Sequence, residues 1–363
     1  MLYQVGGRAV ALWVRSPDAT GSFMTSKGPA TLMWSVRSKS GKWSQPRTPP
    51  HVHKHGDFIG LVPIAPGKAA IAWSRGRSIY SAITNGRKVS RRHFVARNHG
   101  ISLTRLIGSP NGRRAAVTWT GFIFNNRGSF RRYYSFRPVF ASGRLGRTVT
   151  WGMPNPWPNN DEGDPGFVWS SAIENNGRVT AAYLDDRGEF RRGRRVATYK
   201  ALSGRSNRAV KRTVLGSYVN RTSGLNSKFP VVVPSRSGIT VLYRISGYWR
   251  ARTLKPGSSR FRPAKKPVRL PKDNTSWTTA PFDWADTADG LWFFWRDGPR
   301  HIRTSRLSGS TWHTRTPAIK LPYPTCSYCL GIPIAVKTDQ GPIKVMVTYN
   351  ESNYEMLSIG FTP

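Results

Sequence analysis

One pattern returns seven times along this chain: a turn that ends in glycine, then a short apolar strand that closes near an aromatic residue. The copies are "GGRAVALW", "PGKAAIAW", "NGRRAAVTW", "NGRVTAAY", "SGITVLY", "DGLWFFW" and "QGPIKVMVTY". Their glycines are Gly7, Gly67, Gly112, Gly177, Gly238, Gly290 and Gly341, roughly 56 residues apart on average. A period of that length belongs to architectures that repeat one supersecondary unit. Before each turn lies another short strand, as in "FIGLVPIA", "SLTRLIG", "GFVWSSAI" and "KFPVVVP". The pair reads as a β-hairpin whose glycine supplies a positive φ.

A third strand follows, as in "TLMWSVRS", "SIYSAIT", "YWRARTL" and "HIRTSRL". A second glycine turn comes next, at Gly41, Gly86, Gly143, Gly204, Gly257 and Gly309, and a fourth strand such as "KWSQPRT" or "TWHTRTP" leads out. Four antiparallel strands per repeat make the blade of a β-propeller. The sequence therefore predicts an all-β fold, a seven-bladed β-propeller forming a single domain over residues 1–363. Six blades are the alternative if the edge units merge. The last unit stops after its third strand at "EMLSIGFTP". Either that blade has three strands, or the natural N-terminus lies upstream of Met1.

The spacing of the two glycine series locates the insertions. From first to second glycine the distance is 19 residues in three units (67→86, 238→257, 290→309), and 34, 31 and 27 in the others. The excess falls between strands 2 and 3. Distances from the second glycine to the next unit vary from 26 to 34, and that variation falls between strand 4 and the next strand 1. In an up-and-down blade these two connections share one face. Insertions collected on one face of a repeat protein mark its binding face. "SPDATGSFMTSKGP", "FIFNNRGSFRRYY", "DDRGEFRRGR", "PPHVHKHGD" and "PNNDEGDPGF" all belong there.

Charge narrows the partners. Lys and Arg number 57 against 17 Asp and Glu, a formal net charge of +40. Such a field favours polyanions: an acidic polysaccharide, a teichoic acid, nucleic acid or an anionic cell surface. A GC-rich genome would also raise the Arg count, so charge alone does not establish function. No nucleic-acid motif accompanies the basic runs, which argues against sequence-specific nucleic-acid reading. No apolar run has transmembrane length, and no signal peptide follows Met1. A monomer placed outside the cell or in its envelope, with the export signal missing from this chain, is the expected setting; the cytoplasm stays open.

The units resemble the sialidase-like, Asp-box type of propeller repeat common in secreted bacterial proteins. The pattern S-x-D-x-G-x-T-W at the strand 3–4 turn is met in "SRLSGSTW" by Ser305, Gly309, Thr311 and Trp312, with Leu307 in place of the Asp. "SKSGKW" is a shorter form with Ser40 in the Asp place. Asp boxes are structural, so the resemblance implies fold rather than activity. Sialidase chemistry would need three Arg around a carboxylate, a Tyr nucleophile with a Glu partner, and an Asp acid. The nearest approaches to the family's Arg element are "FRP" at Phe136–Pro138 and at Phe261–Pro263. Both lack the middle Ile and both lie far from the start.

Four clusters could carry chemistry. The segment from Trp151 to Phe167 holds Trp151, Trp157, Asp161, Glu162 and Asp164. It reads as a sugar platform, or as a Ca2+ site in which the three carboxylates and nearby Asn oxygens supply ligands; the bland reading is a turn-rich loop whose carboxylates pair with Arg. "HVHKHGD" places His51, His53 and His55 at period two, followed by Asp57. On an extended segment the three rings would share one side, which suits a transition metal or acid–base work on a uronate; a solvated loop is the alternative. "TSWTTAPFDWADTADG" brings Trp277 into a 4–1 loop and Asp283 onto strand 1. Cys326 and Cys329 are the only cysteines, and a short disulfide suits an exported chain better than an isolated half of a zinc site.

Three functions follow. The first is a propeller that binds carbohydrate or another anionic surface ligand through long loops on one face and requires no cofactor. The second is a hydrolase or lyase acting on an anionic glycan, so whether the chain is an enzyme is open. The third is a structural or protein-interaction propeller without a small ligand.

Overall fold

The structure, a computed structural model, describes residues 2–5, 8–15, 31–38, 40–53, 57–97, 104–124, 130–153, 170–191, 194–220, 230–245, 248–264, 282–287, 290–296, 301–308, 311–320, 334–336, 343–348 and 356–361. Among them are 26 strands in seven antiparallel sheets, and no helix. Each sheet takes its strands in chain order. Blade 1 holds β1 (Leu2–Val5), β2 (Arg8–Arg15) and β3 (Thr31–Val36). Isolated bridges from Trp34 to Arg47 and from Arg37 to Trp43 supply its fourth edge. Blade 2 holds β4 (Asp57–Ala65), β5 (Lys68–Arg75), β6 (Ser78–Thr84) and β7 (His93–Arg97). Blade 3 holds β8 (Thr104–Gly108), β9 (Ala115–Phe124), β10 (Phe130–Val139) and β11 (Val149–Gly152). Blade 4 holds β12 (Ser170–Ile173), β13 (Val179–Arg191), β14 (Arg194–Gly204) and β15 (Val210–Asn220).

Blade 5 follows with β16 (Val231–Ser235), β17 (Gly238–Ile245), β18 (Tyr248–Leu254) and β19 (Phe261–Pro263). Blade 6 has β20 (Phe282–Thr287), β21 (Gly290–Arg296), β22 (His301–Ser308) and β23 (Thr311–Lys320). Blade 7 has β24 (Ile334–Val336), β25 (Ile343–Thr348) and β26 (Met356–Phe361), three strands among the described residues. The chain divides into two compact units, 1–188 with 200–213, and 189–199 with 214–363.

Period-two alternation explains why strand 2 of a blade is so apolar. On β5, Ala69, Ile71 and Trp73 join Val10, Leu12, Leu32 and Trp34 of blade 1 in one cluster. Ala70 and Ala72, pointing the other way, join Ala115, Val117 and Trp119 of blade 3 in the next. A strand buried on both faces has no place for a polar stripe. The outermost strand has one wet side, so β7 alternates around a single buried residue, Val95. In the second unit the same rule packs Val233, Leu242, Trp249, Leu291, Phe293 and Leu307 together.

The described glycine turns fall where the repeat placed them, with one exception in mechanism; Gly7, Gly309 and Gly341 lie outside the described residues. Gly238 has φ 123°, and a Cβ there would run into the Leu254 carbonyl. Gly204 is not among the residues of positive φ; it ends β14, and the turn follows at 205–208. Glycine is required there because a Cβ would collide with the Ala209 carbonyl.

In two of the expected insertions most of the residues are described, and those are strand. The ladder between β9 and β10 runs unbroken from Val139↔Ala115 to Phe130↔Phe124. In blade 4, β13 and β14 are 13 and 11 residues long, with only residues 192–193 between them. The extra residues extend the hairpins, because strand pairing satisfies backbone groups that a loop would leave to water. The two "FRP" segments lie on the third strand of blade 3 and the fourth strand of blade 5, with Phe136 and Phe261 buried. Arg137 is a structural clamp: its Nε donates to Gly146 O (2.9 Å) and its Nη1 to Val95 O of blade 2 (2.6 Å).

Candidate binding site

The residues singled out in the sequence meet different fates. Trp157, Asp161, Glu162, Asp164, His55, Trp277, Cys326 and Cys329 lie outside the described residues. Asp57 opens β4 opposite Ser74, and Asp283 pairs with Phe294 from β20, on strand 1 as expected.

Trp151 is not a sugar platform. It is 1% exposed on β11, packed against Tyr134 and Phe136 at centroid distances of 5.7 and 5.1 Å. Its indole N–H donates to Ser206 O (2.9 Å). The alternation of β11 puts Val149 and Trp151 on the same inward face, where both join the core of blades 3 and 4.

Of the three histidines, the two described, His51 and His53, do not lie on an extended segment. His51 is exposed with φ 63°, so the chain turns there. His53 is half-buried, 4.6 Å from Tyr80 centroid to centroid, and accepts a hydrogen bond at Nδ1 from Trp73 Nε1 (3.1 Å). An indole N–H only donates, so Nδ1 holds a lone pair and the neutral ring carries its proton on Nε2. Burial, then the charges of Arg92 and Arg75, lower the His53 pKa. The ring is therefore a neutral donor at Nε2, unsuited to binding a metal or taking a proton through that atom. Among the described residues no group of three or more His, Cys, Asp or Glu is arranged to hold a metal ion.

A different set of residues converges between blades 3 and 4, at the end where strand 1 enters from the preceding blade. The facing surfaces are apolar over most of their length, from Ile107, Ala116 and Val149 to Ile173, Val179 and Ala181. One step nearer the insertion end, the same alternation brings polar groups inward. Arg105 on β8 lies opposite Thr118 on β9, and Tyr134 on β10 lies opposite Thr120. Thr118 Oγ1 sits 3.5 Å from Ser171 Oγ across the gap between the blades. Thr118, Thr120 and Tyr134 are each no more than 2% exposed, and Arg132, next inward-facing on β10, is 4% exposed. On blade 4, Asp185 and Lys200 form an ion pair two residues beyond Tyr183 and Leu202 of the core.

Electrostatics separates the roles. Burial raises the Tyr134 phenol well above its ordinary value, offset only in part by Ser171, Thr118 and the Arg105 charge. Tyr134 stays protonated at neutral pH and is no base. Arg105 keeps an exposed side chain, yet the protein around it lowers its pKa through desolvation. Guanidinium remains charged regardless. Among the described residues no carboxylate pairs with it. A guanidinium reachable from solvent, hemmed by protein and backed by hydroxyls, suits the planar fork of a carboxylate or sulfate. The sequence signal for this site was slight: an Arg inside "SLTRLIG", an otherwise apolar first strand.

No family model and no curated protein matches this sequence. Solved structures do resemble it. A polysaccharide lyase of the PL25 family, an ulvan lyase, aligns with a TM-score of 0.50 and 11% identity, over 86% of this chain and 78% of its own. The BP39L lectin from Burkholderia pseudomallei aligns at 0.48 and 10%, over 98% and 93%. The NanB sialidase from Streptococcus pneumoniae aligns at 0.44 and 12%, over 99% and 67%. At such identities the likeness concerns fold alone, and the seven antiparallel sheets, each with its strands in chain order, are the blades of a β-propeller.

Proposed function

We propose that this protein binds an anionic glycan, with Arg105 holding the acidic group of one sugar and the partly exposed Ser171, across the gap from blade 3, meeting its polar edge. The observation that carries this reading is the Arg105 guanidinium on the innermost strand of blade 3, exposed, hemmed by protein and without a carboxylate partner among the described residues. The net charge of +40 draws the same class of ligand. Binding is favoured over turnover because Tyr134 is held protonated and His53 presents a donor, so neither is a base for a lyase step. The setting that suits such a ligand is the cell envelope or the space outside it.

The test is titration of matched acidic and neutral oligosaccharides, with mass spectrometry of the recovered ligand. Arg105→Gln should weaken the acidic ligand about 10-fold or more, the worth of a charge-assisted hydrogen bond, and leave neutral sugars unaffected. Equal binding of both classes, or an unchanged Arg105→Gln variant, contradicts the assignment. Unsaturated or hydrated products would make the protein an enzyme instead.

A further inference from the structure

Among the described residues, charge is not spread evenly over the blades. All seven side-chain carboxylates among the described residues lie on the first or second strand of a blade, or on the turn between those strands. The fourth strands and the strand 3–4 turns of blades 2, 3 and 4 show the opposite. Segments 85–97, 140–153 and 205–213 contain eleven Lys and Arg, every one exposed, and no Asp or Glu. A GC-rich genome raises the number of Arg cations everywhere. It does not clear acidic residues from one edge of successive sheets.

That edge is also continuous. Arg137 Nη1 ties blade 3 to Val95 O on the outer strand of blade 2 (2.6 Å). Asn207 Oδ1 accepts from Thr150 N (2.7 Å), and Arg212 Nη2 donates to Gly152 O (3.2 Å), which ties blade 4 to blade 3. Two aromatic rings stand among the cations. Phe94 is 52% exposed and Phe140 45% exposed. Phe94 is pinned edge-on to Tyr80 at 5.9 Å, so it offers a fixed plane rather than a protruding anchor.

We propose that the outer strands of blades 2 to 4 form a second binding surface, for a linear acidic polysaccharide that runs from blade to blade. The arginine forks meet carboxylate or sulfate groups, and the exposed rings of Phe94 and Phe140 take sugar faces. The surface lies on the opposite edge of each sheet from Arg105. It shares with the Arg105 reading only the chemistry of the ligand. A membrane would favour aromatic side chains free to insert, and the pinned ring of Phe94 is not one.

The experiment uses a fluorescent polygalacturonate oligomer, the full chain and a salt series. Two belt variants each reverse three cations: Arg87→Glu, Arg91→Glu and Arg97→Glu in blade 2, and Arg205→Glu, Arg208→Glu and Lys211→Glu in blade 4. A control reverses three exposed cations elsewhere, Lys68→Glu, Arg77→Glu and Arg113→Glu, for the same change in net charge. Each belt variant should weaken binding about 10-fold or more and flatten its salt dependence, while the control stays within about twofold. If reversal to Glu unfolds a variant, the Gln versions at the same positions carry the test, with the same ordering expected. Equal loss in the control means a diffuse field and overturns the proposal. So does belt-dependent binding of phosphatidylserine vesicles or single-stranded DNA with polygalacturonate unaffected. Arg105→Gln should leave the salt dependence for the polymer intact, so failure at either surface is read separately.

Discussion

Replacing Trp151 with alanine tests whether that residue is core or contact surface. The side chain is 1% exposed, packed on Tyr134 and Phe136, and held by its bond to Ser206 O. A tryptophan buries roughly 150–250 Å². At about 25 cal/mol per Å² that is about 4–6 kcal/mol of transfer free energy. Measured aromatic-to-alanine losses of about 3–5 kcal/mol fall in the same range. Ser206 is exposed, so water takes its freed carbonyl and adds little. A loss of about 4 kcal/mol in a unit of this size lowers Tm by about 8–16 °C. Calorimetry and urea unfolding measure it, and Trp151→Phe should fall between, having lost the indole bond and some volume. At a temperature where Trp151→Phe is folded, glycan binding should match the parent protein. A Tm change below about 2 °C together with lost binding would refute the core assignment and return Trp151 to the surface.

Gly238→Ala should cost about 2–3 kcal/mol, because φ 123° and the Leu254 carbonyl both reject a Cβ. Gly76→Ala, at φ 55° with open space around it, should cost about 1 kcal/mol; equal losses in paired melts would contradict the steric argument. Asp185→Ala leaves Lys200 without its partner in a mostly buried place, and a loss of about 3–5 kcal/mol is expected by denaturant titration. His53 has a folded pKa below its ordinary value of 6.5, so the unfolded chain takes up the proton first. Its contribution is complete above pH 6.5 and is lost as pH falls through the folded pKa. His53→Gln, which keeps an acceptor for Trp73, should flatten stability against pH in that window; an unchanged profile would place the dependence elsewhere.

The blade plan was legible because turns and alternation are local. Each glycine turn and each buried second strand carries its signal within about ten residues. The extended hairpins were not legible as such. "FIFNNRGSFRRYY" and "DDRGEFRRGR" mix glycine and charge in a way that suits a loop, and only cross-strand pairing makes strands of their described residues. The site was harder still. Arg105, Thr118, Tyr134 and Ser171 come from four strands of two blades, and no spacing in the sequence announces that they meet. Aromatic richness beside the acidic stretch pointed to Trp151, but it gave no way to tell an inward-facing strand residue from a loop residue.

The measurement that bears most directly on this account is calorimetric titration of the protein, and of its Arg105→Gln variant, with an acidic oligosaccharide and its neutral counterpart. The account predicts saturable binding of the acidic ligand alone, recovery of that ligand unchanged, and loss of about tenfold or more in the variant. Neutral and acidic sugars bound alike, or a variant that binds as well as the parent, would contradict it.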